Sequence, residues 1–221
     1  TNHDITIWVS CDLFTEYYDV SIGKDLLLFL KKCTVNINLI SSDHSIIAMI
    51  SHGLLTEAKK ALEELKSTLS AVSKNDIIVG IEPSEVLVWR DEAKSLIQGD
   101  LPRVLLFEEL LLQLNSKGFL PKLKALDSKI WVHTHCHQKA LANDNILLQS
   151  LELISGIEVE MFDSGCCGMA GDFGYRHSKV SKVIASQSLG DFMCRVNEDD
   201  ILISTGTSCR KQISDVFSSQ S

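Results

Sequence analysis

The sequence predicts an α/β protein built from two βαβαβ units with mostly parallel sheets. Three observations carry this. Short β-branched runs alternate with helix-period segments along the chain, the pattern of parallel strands covered by helices. The order repeats, because Val9-Ser10-Cys11 aligns with Thr134-His135-Cys136 and the segments after them align in turn. Cysteines and polar residues gather just past the strands, at the edge where an open α/β sheet forms its ligand crevice.

The elements follow in order. DITIWVS (4–10) reads as the first strand and GKDLLLFLKK (23–32) as the helix after it. VNINLI (35–40) is the second strand. The helix at 56–72 places Ala58, Leu62, Leu65 and Leu69 along one face and Glu/Lys pairs on the other. DIIVGI (76–81) is the third strand. EVLVWRDEAKSLI (85–97) and RVLLFEELLLQLNS (103–116) read as extra helices that bridge the halves, before a linker at 119–124. The second half repeats the scheme with strands at 129–135, 157–163 and 200–205, and helices at 143–155 and 178–196. Cys11 and Cys136 lie 125 residues apart, His44 and Cys166 122, and Glu85 and Cys209 124. Near-equal offsets at three strand ends argue for duplication, with one repeat at 1–125 and the other at 126–221. The fold expected of each is Rossmann-like.

Composition narrows the function. A net charge of −8 and a pI near 5.3 argue against nucleic acid or an anionic membrane as partner. No apolar run approaches the roughly 20 residues of a membrane span, and no signal peptide opens the chain. The start at Thr1, directly before a strand, is expected of a piece of a longer protein. The seven cysteines are odd in number and the core is ample, so a reducing cytoplasm is expected, with thiols as metal ligands, nucleophiles or core filler.

Cys33 and Cys194 lie on apolar helical segments and read as core filler. Cys136, Cys166, Cys167 and Cys209 each follow a strand of the second half, a convergence that suggests a soft-metal site. Adjacent thiols such as Cys166 and Cys167 bridge each other only with strain. The spacing CX(29)CCX(41)C lacks the short knuckles of zinc fingers and favours an iron–sulfur cluster. Gly165, Gly168, Gly171 and Gly174 would let backbone approach a bulky ligand and turn N–H groups toward its sulfur. His135, His137 and Arg210 are second-layer candidates by adjacency. Two other chemistries compete. His133, His135 and His137 around Cys136 could serve a thiol hydrolase, and the glycine run weakly resembles a phosphate loop without its lysine. His133 itself reads as a half-buried strand residue, with alternation putting it on the same face as His135.

HTHCHQKAL (133–141), SGCCGMAGDFGYR (164–176) and GTSCRKQ (206–212) resemble the cysteine-rich CCG family. IEPSEVLVWRDE (81–92) and ISHGLLTEAKK (50–60) are similar to its first half. The family includes heterodisulfide reductase B subunits, iron–sulfur subunits of glycolate, lactate and glycerol-3-phosphate oxidising enzymes, and the C-terminal region of FAD-linked oxidases of the D-2-hydroxyglutarate and D-lactate dehydrogenase kind. The resemblance implies a [4Fe–4S] cluster on Cys136, Cys166, Cys167 and Cys209, with zinc or an empty site in an aerobic sample. It implies FAD on a separate domain outside this chain, and FAD-binding and ferredoxin-like domains or subunits as partners. It makes the chain an electron-transfer module, not catalytic alone, of a 2-hydroxyacid oxidoreductase. The alternative is a zinc-binding or metal-free structural module with no redox role. Gly206 stands where the family often has a further cysteine. In the first half only Cys11 persists; His44, Ser45 and Glu85 replace the other cysteines, and Cys11, His44 and Glu85 could make a harder metal site.

Overall fold

The computed structural model describes residues 5–217, which divide into two compact units within 1–122 and 123–221. Both are α/β with wholly parallel sheets. In the first, β1 (Thr6–Cys11), β2 (Asn36–Ser41), β3 (Ile77–Gly80) and β4 (Val104–Leu105) stand in the order β2-β1-β3-β4. In the second, β5 (Ser128–His133), β6 (Ile157–Met161) and β7 (Ile201–Ser204) stand in the order β6-β5-β7. Each central strand pairs with the next strand on one side and the one after on the other. That order creates a crevice at the carboxyl ends of the first and third strands.

The helices of the first unit are α1 (Leu13–Tyr17), α2 (Val20–Lys32), α3 (Ile46–Ser51), α4 (Leu55–Ser70), α5 (Pro83–Leu87), α6 (Glu92–Leu96) and α7 (Phe107–Ser116). Those of the second are α8 (Cys136–Leu141), α9 (Asp144–Leu151), α10 (Phe173–Arg176), α11 (Ser178–Met193) and α12 (Thr207–Phe217). Apolar periodicity explains the long ones: α4 buries Ala58, Ala61, Leu62 and Leu69, and α11 buries Ala185, Leu189 and Phe192. Ile7 and Val9 of β1 pack with Leu26 and Leu30 of α2 and Leu110 and Leu114 of α7. In the second unit Phe192 stacks on Phe162 at 4.2 Å and meets Trp131 edge-on at 5.6 Å. Burial of each such side chain is worth roughly 1.5–3 kcal/mol.

The same tether recurs at the amino ends of both sheets. Trp8 Nε1 donates to Asp76 at 3.0 Å, and Trp131 Nε1 donates to Asp200 at 2.8 Å. Trp8 and Trp131 occupy matching places on the two central strands.

Several expectations need correction. The segment 103–116 is not one helix: Val104–Leu105 pair with β3 as a short edge strand, and the helix starts at Phe107. Leu106 N–H donates to Glu109 at 2.8 Å there, and Arg90 holds Glu109 at 2.9 Å. The segment 85–97 breaks into α5, a 3₁₀ turn at Val88–Arg90, and α6. The strand expected to 135 ends at His133, so alternation does not pair His133 with His135. Cys33 is buried, but Cys194 caps α11 exposed to solvent. The expected start of β1 at Asp4 lies outside the described residues. No described helix is long and apolar enough to cross a membrane.

Candidate functional site

The second unit brings four sulfurs together. Cys136 opens α8, Cys209 lies in the first turn of α12, and Cys166 and Cys167 sit in the irregular segment between β6 and α10. Their thiols interact in a row: Cys136 with Cys166, Cys166 with Cys167, and Cys167 with Cys209. Among the described residues no three of these sulfurs fall within 4.8 Å of one another. The row is open rather than a tight cage. Cys136 is exposed, Cys166 half-buried, and Cys167 and Cys209 buried beside Met169, Leu189 and Ile213.

Neighbouring thiols cannot all ionise, so their pKa values split. Cys166 is pushed down chiefly by accepting from Cys136 and Cys167, and Cys209 chiefly by accepting from Cys167. Cys136 and Cys167, the donors, are pushed up by those contacts and by burial. Backbone N–H groups of His137, Gly168 and Met169 serve Cys136, Cys166 and Cys167 respectively, the Gly168 bond being 3.3 Å. Each favours thiolate.

Local geometry explains why the chain folds this way. Gly168 has φ +88°, and a Cβ there would meet the Ser181 carbonyl at 2.5 Å. A Cβ on Gly174 would meet Met169 Sδ at 2.3 Å. Gly165 faces Ser188, and Gly171 takes φ +65° in the turn before α10. Gly165, Gly168 and Gly174 thus lie close to their own unit, so tight packing of the loop is their direct use. Ser181 Oγ donates to the Gly168 carbonyl at 2.8 Å, and Gln212 of α12 donates to Ser181 Oγ at 2.7 Å. That chain links the Cys166–Cys167 loop to the helix bearing Cys209.

His135 caps α8, its ring accepting from His137 N–H at 3.3 Å, and its own N–H donates to Thr205 Oγ1 at 2.9 Å. This ties the loops after β5 and β7 together. The His135 ring fills the space that a side chain at 206 would need, since a Cβ on Gly206 would meet it at 2.4 Å. Arg210 donates to the carbonyls of Ser204 at 2.9 Å and Thr205 at 3.1 Å, holding the Cys209 loop by its backbone.

Lys139 was missed in the sequence, and His133, read there as a hydrolase candidate or a half-buried strand residue, is fully buried against the site. Lys139 donates to the Ser164 carbonyl at 2.7 Å and the Phe162 carbonyl at 3.3 Å, fixing the approach to Cys166. Its only signal was its place in the HTHCHQKAL run. His133 is 1% exposed, contacts Cys209, and shares a 2.7 Å hydrogen bond between Nδ1 and Ser164 Oγ. A histidine ending a buried strand one turn before a cysteine was the available signal.

The first unit places different groups at the corresponding crevice. Cys11, His44 and Glu85 line one cavity of about 20 Å³, room for about one water. Among the described residues, their three ligand atoms do not all lie within 4.8 Å of one another. Ser45 Oγ donates to Glu85 Oε1, and Ile46 N–H donates to Oε2 at 3.2 Å. Burial, then the charges of Asp12 and Glu82, raise the Glu85 carboxyl to about 7 against those bonds. Burial also raises the Cys11 thiol.

Residues 130–214 match the CCG family, described as a cysteine-rich domain. Over 210 residues the chain is 26% identical to one subunit of the anaerobic glycerol-3-phosphate dehydrogenase of Escherichia coli K12, covering 90% of this chain and 52% of that protein. It is 27% identical over 219 residues to D-2-hydroxyglutarate dehydrogenase of Haemophilus influenzae, and 28% over 215 residues to that of Escherichia coli K12. Those alignments take in 94% of this chain but 21% of either dehydrogenase. The chain spans about half the length of the first relative and about a fifth of the others.

Proposed function

We propose that this chain, whose residues 130–214 match the cysteine-rich CCG family, is an iron–sulfur electron-transfer module of a larger oxidoreductase. Cys136, Cys166, Cys167 and Cys209 would hold one [4Fe–4S] cluster. The observation that carries this reading is the row of four thiols, each in contact with the next, at the carboxyl edge of one sheet. Thiolates select soft metals, and the set fits a cluster in number and kind. A single tetrahedral zinc would draw its sulfurs to about 3.8 Å apart. The open row suits a wider core better. N–H groups at His137, Gly168 and Met169, together with two helix amino ends, supply donors to an anionic centre.

When bound, the cluster supplies one-electron chemistry. The chain's own residues hold it, shield Cys167 and Cys209 from water, and leave Cys136 exposed as the side nearest an electron partner. The relatives are dehydrogenases or part of one, which supports partner domains or subunits; the family resemblance makes these FAD-binding and ferredoxin-like. A 2-hydroxyacid or glycerol phosphate would be oxidised there, in the cytoplasm, and not by this chain alone. The two units are repeats whose first copy keeps only Cys11 of the corresponding cysteines, as the matching strand order and the paired Trp–Asp tethers suggest.

Anaerobic reconstitution with iron and sulfide tests this. A brown species with a broad absorbance at about 400 nm, holding about four irons per chain, is expected, and Cys166→Ser should abolish it. A colourless chain holding about one zinc under the same conditions would replace this reading with the structural one.

A further inference from the structure

We propose that His133 donates a hydrogen bond through Nε2 into the sulfur pocket, and that Ser164 fixes the tautomer that makes this possible. The inference rests on the cluster reading above and adds a residue to it.

His133 ends the central strand β5, in register with Ser204 of β7, at the base of the crevice. Its ring is 1% exposed and lies against Cys209. Nδ1 is engaged by Ser164 Oγ at 2.7 Å. Nε2 has less than 1 Å² of exposed surface and no partner in hydrogen-bond geometry among the described residues. A polar atom so deeply buried costs stability unless something satisfies it.

The two neutral tautomers differ in what they leave unmet. With hydrogen on Nδ1, the ring donates to Ser164, whose own hydroxyl hydrogen then has no acceptor among the described residues, and the Nε2 lone pair needs a donor. Thiolates and sulfides offer acceptors only, so the pocket cannot supply that donor. With hydrogen on Nε2, Ser164 donates to Nδ1 and is satisfied. The one group left is an N–H beside sulfur, which anionic sulfur accepts. Ser164 is therefore the residue that orients the donor, and its place in SGCCG brings it to β5 along with the two cysteines that follow.

A donor to sulfur favours the more negative, reduced centre. At a poise where the wild-type reconstituted chain is half reduced, His133→Leu should lower the ratio of reduced to oxidised centres about tenfold, the size of one charge-assisted hydrogen bond. His133→Gln, whose side-chain amide can place an N–H near the same point, should recover part of the loss. Ser164→Ala keeps the ring and should give a smaller fall, which carries the test if His133→Leu does not fold. Nitrogen-15 NMR of the oxidised, iron-loaded chain reads the tautomer directly, with the hydrogen expected on Nε2 in the wild type and a mixture in Ser164→Ala. A wild-type chain that takes up no iron overturns the cluster reading and the tuning role with it. An iron-loaded wild type with hydrogen on Nδ1 overturns the hydrogen bond alone, as does a His133→Leu ratio equal to the wild-type one.

Discussion

Among the described carboxyls, Glu85 departs furthest from its ordinary chemistry. A carboxyl in the first turn of a short helix usually ionises near or below its ordinary value, but this one is raised from 4.5 to about 7, first by burial and then by Asp12 and Glu82. The folded state therefore prefers the protonated form. Its contribution is whole below about 4.5 and is lost as pH rises through about 7. The difference is on the order of 3 kcal/mol. Thermal stability should fall between pH 5 and 8, and Glu85→Gln, which keeps an acceptor for Ser45, should flatten that slope. Parallel profiles for the two proteins would show that other groups set it. The sequence marked Glu85 through its offset from Cys209, and Glu82 stands three residues before it, but Asp12 reaches it only when β1 and β3 pair.

Among the elements, the loop from Ser164 to Asp172 carries most of the site's precision. It has no regular structure, and its shape depends on contact with α11. Gly168→Ala forces a side chain onto φ +88° and into the Ser181 carbonyl. A loss of about 1–3 kcal/mol is expected in denaturant titration, with iron uptake failing at lower denaturant than global unfolding. Equal stability and equal uptake would mean that the loop relaxes freely. The alternation of strands and helices was readable because periodicity is local. The short β4 was not, since Val104-Leu105-Leu106 continues smoothly into the apolar run of α7 and only pairing with β3 makes it a strand. The glycines were recognised as special, yet three of them pack the loop tightly on its own unit, a close approach that no spacing encodes.

For the molecule as a whole, the informative comparison is between its two crevices. If the two units are repeats, as proposed above, the Ser45–Glu85 hydrogen bond in the first corresponds by sequence offset to the Cys167–Cys209 contact in the second. We take this as a cluster site converted to an oxygen pair. Restoring the thiols with His44→Cys, Ser45→Cys and Glu85→Cys beside the native Cys11 should roughly double the iron bound after anaerobic reconstitution, to about eight per chain. No change in iron content would argue that the first crevice has closed beyond recovery, as its cavity of about 20 Å³ allows. The chain alone, supplied with a hydroxy acid and an electron acceptor dye, should give no turnover, since about half or more of each relative's length lies outside it.

The sequence by itself determined the α/β class, the order of every strand but β4 and the resemblance carried by its cysteine motifs, because each is written in neighbouring residues or fixed spacings. Only the tertiary structure decided which thiols lie side by side, that His133 stands against Cys209, and that His135 fills the place of a side chain at 206. Those outcomes depend on distances across β5 and β7 and on which groups water has left, and burial of that kind arises only when strands far apart in the chain are brought side by side.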